Sequence, residues 1–375
     1  MEKNQYKKNA EDMLYLTVCA VKGKKPDSKR METMDLDGLF KVCQKNILTA
    51  CAAYALESAG VRHHAFTQAK EKAIRKNVLL DAERRKILNR LEQEKIWYMP
   101  LKGAILKNLY PKLGMRQMSD NDILFDKKYR TKVKNIMLDL GFTCKSFNSG
   151  NDDAYFKPPI CNFEMHSSLF ASAHIGKLYE YYQNIKQKLI RDENSQYGYH
   201  FRTEDFYVYL TAHEYKHFTA GGVGVRSLVD AYIFMKKYGD SMNWDYLNAE
   251  LKKLKIQNYE QKRRIIAEKI FNEQELSEKE TAMLNYYIFS GSYGTRKNAI
   301  KHKVNRLGKG SKAHYLFRRI FPPMEEIESY WNFFYRHKWL IPILWIYRPI
   351  KGLLTKRKKL FREIKYLCRS SGKNK

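Results

Sequence analysis

The chain has 375 residues, 70 lysines and arginines against 40 aspartates and glutamates, a formal charge of +30, and 44% hydrophobic and 14% aromatic residues. That apolar content excludes a mainly disordered chain, and the length suffices for two or three packed units. So large a positive charge points to nucleic acid, nucleotide phosphates or anionic lipid as partner, or to faces that are simply basic and solvated.

Residues 1–95 read as a helical region. Its opening, MEKNQYKKNAEDMLYL, carries charge without an apolar run and cleavage site, so a secretory leader is not expected. From Leu39 apolar residues recur at helical spacing through Val42, Ile47, Ala52 and Leu56, and Phe66–Glu94 is a long charged amphipathic stretch. Residues 96–175 change period and read as an α/β core. Ile96–Leu101 is a strand ending at Lys102 and Gly103, Ala104–Tyr110 a helix, Asp120–Phe125 a second strand, and Lys127–Leu140 a helix capped by Gly141. Phe142–Phe147, Ala154–Lys157 and Cys161–His166 supply three more short strands, making a mixed sheet.

Residues 176–300 return to helical pattern, with segments at Glu204–Phe218, Ser227–Tyr238, Trp244–Leu254 and Lys262–Phe271. Residues 301–375 form a basic helical C-terminal region, in which Lys351–Lys375 holds Glu363 as its only acid. The apolar run Trp339–Tyr347 is too short to span a bilayer, and reads as a core helix or one lying on a membrane. Cys19, Cys43, Cys51, Cys144, Cys161 and Cys368 contain no CxxC pair. They fit neither a zinc knuckle nor a disulfide framework, and read as thiols of a reducing cytoplasm.

Asp120 and Asp122 are two apart on a strand and leave the same sheet face. Side by side they repel unless a cation sits between them, and an oxygen donor set suits Mg²⁺ or Mn²⁺. Glu164, in the strand Asn162–His166, turns toward the same surface if the two strands are neighbours. Three carboxylates from two strands suit metal-assisted phosphoryl transfer. Gly103 at the mouth of a helix would let the backbone approach a phosphate, with Lys102 and Arg116 adding charge. Lys102, Gly103, Arg116 and Ser119 are the candidate nucleotide contacts. Replacing both strand acids removes a repulsion, so the fold is expected to stay intact or gain slightly in stability. Arg116 could instead pair with Asp120 or Asp122, and His166 could contact substrate or serve as a hydrogen-bonded structural histidine.

The stretches Pro100–Ala104, Leu109–Pro111 and Arg116–Phe125 resemble the uncharacterised bacterial nucleotidyltransferases of the DNA polymerase β-like superfamily. The resemblance extends through Glu164 and His166, His213–Asp230 with its paired histidines and Arg226, Ser290–Gly294, Phe321–Pro323 and Leu340–Pro342. It implies an α+β fold, a small mixed-sheet polymerase β-like nucleotidyltransferase core embedded between helical regions. It also implies transfer of a nucleoside monophosphate from an NTP to a hydroxyl or phosphate acceptor on a small molecule, RNA or protein, with release of pyrophosphate. Asp120, Asp122 and Glu164 would be catalytic metal ligands, and His166, His213, His217, Arg226 and Asp230 would border the pocket. One departure is Ala104, where superfamily members usually carry a second glycine or a serine.

Two other classes stay open. His213-Glu-Tyr-Lys-His217 matches the HExxH zinc-peptidase pattern, although neither Asp230 nor Glu250 sits at a usual third-ligand spacing. The basic C-terminal region, interleaved with Phe317, Phe321, Tyr330, Trp331 and Tyr335, could serve a protein with an inactive core that binds RNA or rests on a membrane surface through Lys356–Lys359.

Overall fold

The computed structural model describes residues 2–171, 176–306 and 311–369, with the backbone alone for 358–369. The side chains of Tyr330, Lys356, Lys358, Lys359 and Cys368, and residues 307–310 and 370–375 of the basic runs, lie outside the described residues.

Four helices open the chain: α1 (Lys3–Lys22), α2 (Ser28–Glu32), α3 (Leu36–Asn46) and α4 (Thr49–Ser58). α1 stops where Gly23 takes φ 68°, and Asp35 caps α3 by accepting from the Gly38 N–H. Their apolar faces, with Met13, Leu16, Leu39, Val42 and Leu56, bury against Val225, Leu228, Ile266, Phe271 and Tyr287 from far downstream. The 30-residue α5 (His64–Gln93) then joins two cores. Phe66 near its start belongs to the helical core, whereas Leu80, Ile87 and Leu91 pack on the sheet.

The sheet follows, interrupted by two helices: β1 (Tyr98–Pro100), α6 (Gly103–Leu106), β2 (Asn121–Phe125), α7 (Arg130–Asp139), β3 (Thr143–Ser146), β4 (Asp152–Lys157) and β5 (Cys161–His166). Strand order is β1-β2-β5-β4-β3, with β2 and β5 parallel and the other pairs antiparallel, the mixed sheet expected from sequence. The expected Ala104–Tyr110 helix is the short α6 continued by a 3₁₀ turn over Lys107–Leu109. Alternation divides the central strands cleanly. Ile123, Phe125, Phe163 and Met165 join α5 and α7 in one core, while Leu124 on the opposite face packs with Phe206, Tyr209 and Phe234.

That second face is covered by the helices beyond the sheet. After α8 (Gly176–Tyr181) comes a two-stranded ribbon, β6 (Leu189–Arg191) and β7 (Tyr199–Phe201), which the sequence reading did not contain. Then follow α9 (Thr203–Ala220), α10 (Arg226–Tyr238), α11 (Trp244–Lys253), α12 (Gln257–Phe271) and α13 (Glu278–Ser290), the last opened by a Ser277–Glu280 capping box. The C-terminal part comprises α14 (Arg296–Arg306), α15 (Ser311–Ile320), α16 (Met324–Tyr330), α17 (Asn332–Arg336) and α18 (Ile341–Arg369). Among the described residues no helix is long and apolar enough to cross a membrane.

Candidate active site

β2 and β5 pair in register, Asp122 opposite Glu164 and Leu124 opposite His166, so Asp122, Glu164 and His166 leave one face of the sheet. Asp120, two residues before Asp122, shares its parity. One donor atom each from Asp122, Glu164 and His166 falls within a 4.8 Å cluster, and no other group of three metal-ligating side chains gathers this way among the described residues. Carboxylates with one imidazole suit a hard or borderline divalent cation, so the residues present fit one.

Asp122 is buried, and its Oδ1 accepts from Lys102 Nζ at 2.6 Å and from His166 Nε2 at 2.8 Å. Burial opposes its charge, but Lys102 and His166 outweigh burial and hold its carboxyl well below the usual range. For Asp120 and Glu164 the surrounding cations do not outweigh burial and the neighbouring acids. Burial and the Asp122 charge raise Asp120, and burial with both aspartates pushes Glu164 up to about 8. Converging negative charge is thus only partly balanced by the protein itself. The Asn151 amide nitrogen lies 3.4 Å from His166 Nδ1, an arrangement in which Nδ1 accepts and Nε2 donates to Asp122.

Lys102 reaches Asp122 at a conformational cost. The Ala104 N–H closes a turn on the Leu101 carbonyl at 3.2 Å, with Lys102 at φ 47°, ψ −112°, a corner glycine ordinarily fills. Gly103 answers a different need from phosphate approach. A Cβ there would stand 2.5 Å from Arg116 Nη1 and 2.8 Å from the Met118 sulfur. Arg116 itself pairs with neither Asp120 nor Asp122. It forks onto Asp230 of α10, Nε to Oδ1 at 2.7 Å and Nη2 to Oδ2 at 2.9 Å, and Tyr110 also donates to Oδ1. This buried triad clips the segment before β2 to α10.

Above the acids opens a cavity of about 570 Å³, lined on the sheet side by Lys102, Asp120, Asp122 and Glu164 and on the helix side by His213, Lys216, His217 and Arg226. That size suits a nucleotide-sized ligand. Burial, then the Lys102 charge, drives Lys216 down to about 8, and the same causes hold His213 well below its usual range. Arg226 donates to the Gln117 carbonyl at 2.9 Å.

The HExxH arrangement fails at its glutamate. Glu214 Oε1 accepts from the hydroxyls of Tyr259 at 2.7 Å and Tyr287 at 3.0 Å, and Oε2 from Arg263 at 2.6 Å, so the carboxylate is tied into the helical core as the counter-charge of Arg263. His213 and His217 lie 3.2 Å apart, and among the described residues no third ligand gathers with them.

A second cavity of about 600 Å³ reaches Asp120 and Glu164 from another side, with Lys72, Lys76 and Lys145 in its lining. Lys76 donates to the Ser119 carbonyl at 2.6 Å, and Ser119 Oγ lies 3.1 Å from the hydroxyl of Tyr293, which borders both cavities. Tyr293 is held by two interlocked loops. Gly222 at φ 107° lies against Ser290, Gly294 at φ 67° against the Gly221–Gly222 backbone, and a Cβ at either would collide.

The cavity lining therefore includes every sequence-named candidate, and within it the Arg116–Asp230 pair is tied to itself and braces the wall. Lys216, Asn151 and Lys76 were missed. Lys216 had a readable signal, lying three residues after His213 on the same helical face, whereas Asn151 and Lys76 reach the site through sheet and helix packing that no local pattern announces.

No curated protein and no solved structure matches the chain. Residues 32–272, which carry the sheet, the three acids and the helical wall, match the model of a family described as uncharacterised nucleotidyltransferase, and the chain belongs to that family.

Proposed function

We propose that the chain moves a nucleoside monophosphate from an NTP to a hydroxyl or phosphate acceptor, with Asp120, Asp122 and Glu164 as catalytic carboxylates. An acceptor oxygen bonds to the α-phosphorus while the bond from that phosphorus to the leaving pyrophosphate breaks. The observation that carries this reading is the meeting of two cavities at the same carboxylates. The first, with Lys102, Lys216 and Arg226, suits the triphosphate; the second, with Lys72, Lys76 and Lys145, suits the acceptor.

Asp120, Asp122 and Glu164, with His166 beside them, would hold Mg²⁺ or Mn²⁺, which when bound neutralises phosphate charge and lowers the pKa of an attacking hydroxyl. The protein's own groups do the rest. His166, oriented by Asn151, positions the Asp122 carboxylate. Lys102 and Lys216 face each other's side of the cavity and offer ammonium donors to phosphate oxygens. Arg226 and Tyr293 close the approach, and the Ser119 hydroxyl lies where the two cavities join.

Thermal unfolding of the full chain against each NTP, with and without Mg²⁺, tests the reading. Asp120→Asn and Glu164→Gln are the variants of choice. Asp122 balances buried Lys102, so the double aspartate replacement would destabilise the fold, contrary to the expectation from charge repulsion alone. Ligand at a hundred times its dissociation constant adds about 2.7 kcal/mol of apparent stability. A Mg²⁺-dependent shift with at least one NTP, abolished in Glu164→Gln, together with pyrophosphate release, is expected. No shift with any NTP would leave the inactive-core binding protein as the better description.

A further inference from the structure

α18 packs on the body by one face and leaves the other in water. Leu344 is fully buried, Trp345 stands edge-on to Phe321 with centroids 5.0 Å apart, and Arg348 donates to Glu326 at 3.0 Å. At 100° per residue, Ile343, Ile346, Ile350, Leu353 and Leu354 gather on the opposite side, and Trp339 in the preceding turn extends the row. Ile346 is 66% exposed, Trp339 76% and Leu354 78%. Covering such side chains is favourable, so a continuous exposed row marks a contact surface.

The charge around the row identifies the occupant. Lys338, Lys351 and Arg357 are exposed beside it, and from Lys338 to Arg369 the only acid in the sequence is Glu363. Two copies meeting through this face would set basic flank against basic flank. Five of the six side chains of the row are aliphatic and offer no ring face on which a base could stack, which disfavours RNA. Trp339 and the partly exposed Tyr347 are residue types that settle at the boundary between lipid headgroups and acyl chains. The helix is too polar to cross a bilayer and amphipathic enough to lie on one.

We propose that this face of α18 rests in the plane of an anionic lipid surface, with the aliphatic row in the acyl boundary and the basic residues among the headgroups. The segment lies outside residues 32–272, so the inference stands whether or not the nucleotidyl-transfer reading holds.

Co-sedimentation of the full chain with vesicles tests it, using phosphatidylcholine alone and phosphatidylcholine with about one third phosphatidylglycerol. The control is the triple variant Trp339→Ser, Ile346→Ser, Leu354→Ser, whose positions face water and whose circular dichroism should match the parent. Binding to the anionic vesicles is expected, with a roughly tenfold or greater loss in the variant and in about 0.5 M salt. Three results would overturn the proposal: no vesicle binding at low salt, undiminished binding by the variant, or a lipid-free dimer that the variant dissolves. Binding to a single-stranded RNA that the variant loses, with no vesicle binding, would do the same and assign the face to nucleic acid.

Discussion

At the scale of single residues, the informative charges are those the protein itself neutralises. Asp230 sits under two arginines; burial works against its charge, but the Arg116 fork and the Arg226 charge prevail and hold its carboxyl below the ordinary 3.8. A carboxylate depressed in the folded state stabilises the fold above its unfolded pKa and loses that contribution as pH falls through the lower folded value. Asp230→Asn should therefore cost about 2 to 4 kcal/mol at neutral pH, with the gap to the parent narrowing below about pH 4. Urea unfolding of both proteins across that range measures it; a constant gap down to pH 2 would rule the account out. The Asp-x-Asp pair and Glu164 were legible in sequence because strand parity is a local property. Arg116 was not, since nothing near it in the chain announces a partner on α10.

At the scale of elements, α9 shows how one motif can hold two meanings. The His213–Lys216–His217 side lines the cavity, while Glu214 joins α9 to α12 through Arg263 and Tyr259 and to α13 through Tyr287. Spacing alone could not separate a zinc ligand helix from this bracing role, because both need a glutamate and histidines within one turn. Glu214→Gln should lower stability by about 2 to 4 kcal/mol, leaving Arg263 buried without its counter-charge, and should not change the zinc content of purified protein. Chemical denaturation and elemental analysis read the two arms; bound zinc lost together with the carboxylate would restore the peptidase reading. The strands of the main sheet were visible as β-branched and aromatic runs between turns. β6 and β7 were not, since each has three residues and neither sits in an apolar run like the one around β1.

Across the whole molecule, the ends of the family region depend on what lies beyond them. α1 precedes residue 32, yet Met13 and Leu16 are fully buried in the same core as Val225 and Leu228, which flank Arg226 of the wall above the acids. Deleting residues 1–24 should expose that core, lower the thermal midpoint by about 10 °C or more and weaken NTP-dependent stabilisation together with it. Calorimetry of the truncated chain would show an unchanged midpoint if α1 were a dispensable addition. Helical periodicity was readable in the N-terminal region from Leu39 onward. Its union with helices far downstream was not, because amphipathic stripes say that a face is buried but not against which partner.

The backbone corner at Lys102 has a consequence on a longer timescale. Its conformation favours glycine, while its ammonium group is what balances Asp122 and lines the cavity above the acids. Folding and turnover therefore select different residues at one position. A lineage relieved of catalysis would gain stability only by making both changes, glycine at the corner and an uncharged residue for Asp122, because either alone strands a buried charge. Glycine at this corner, accompanied by an uncharged residue in place of Asp122, would be the heritable trace of a core that has fallen silent.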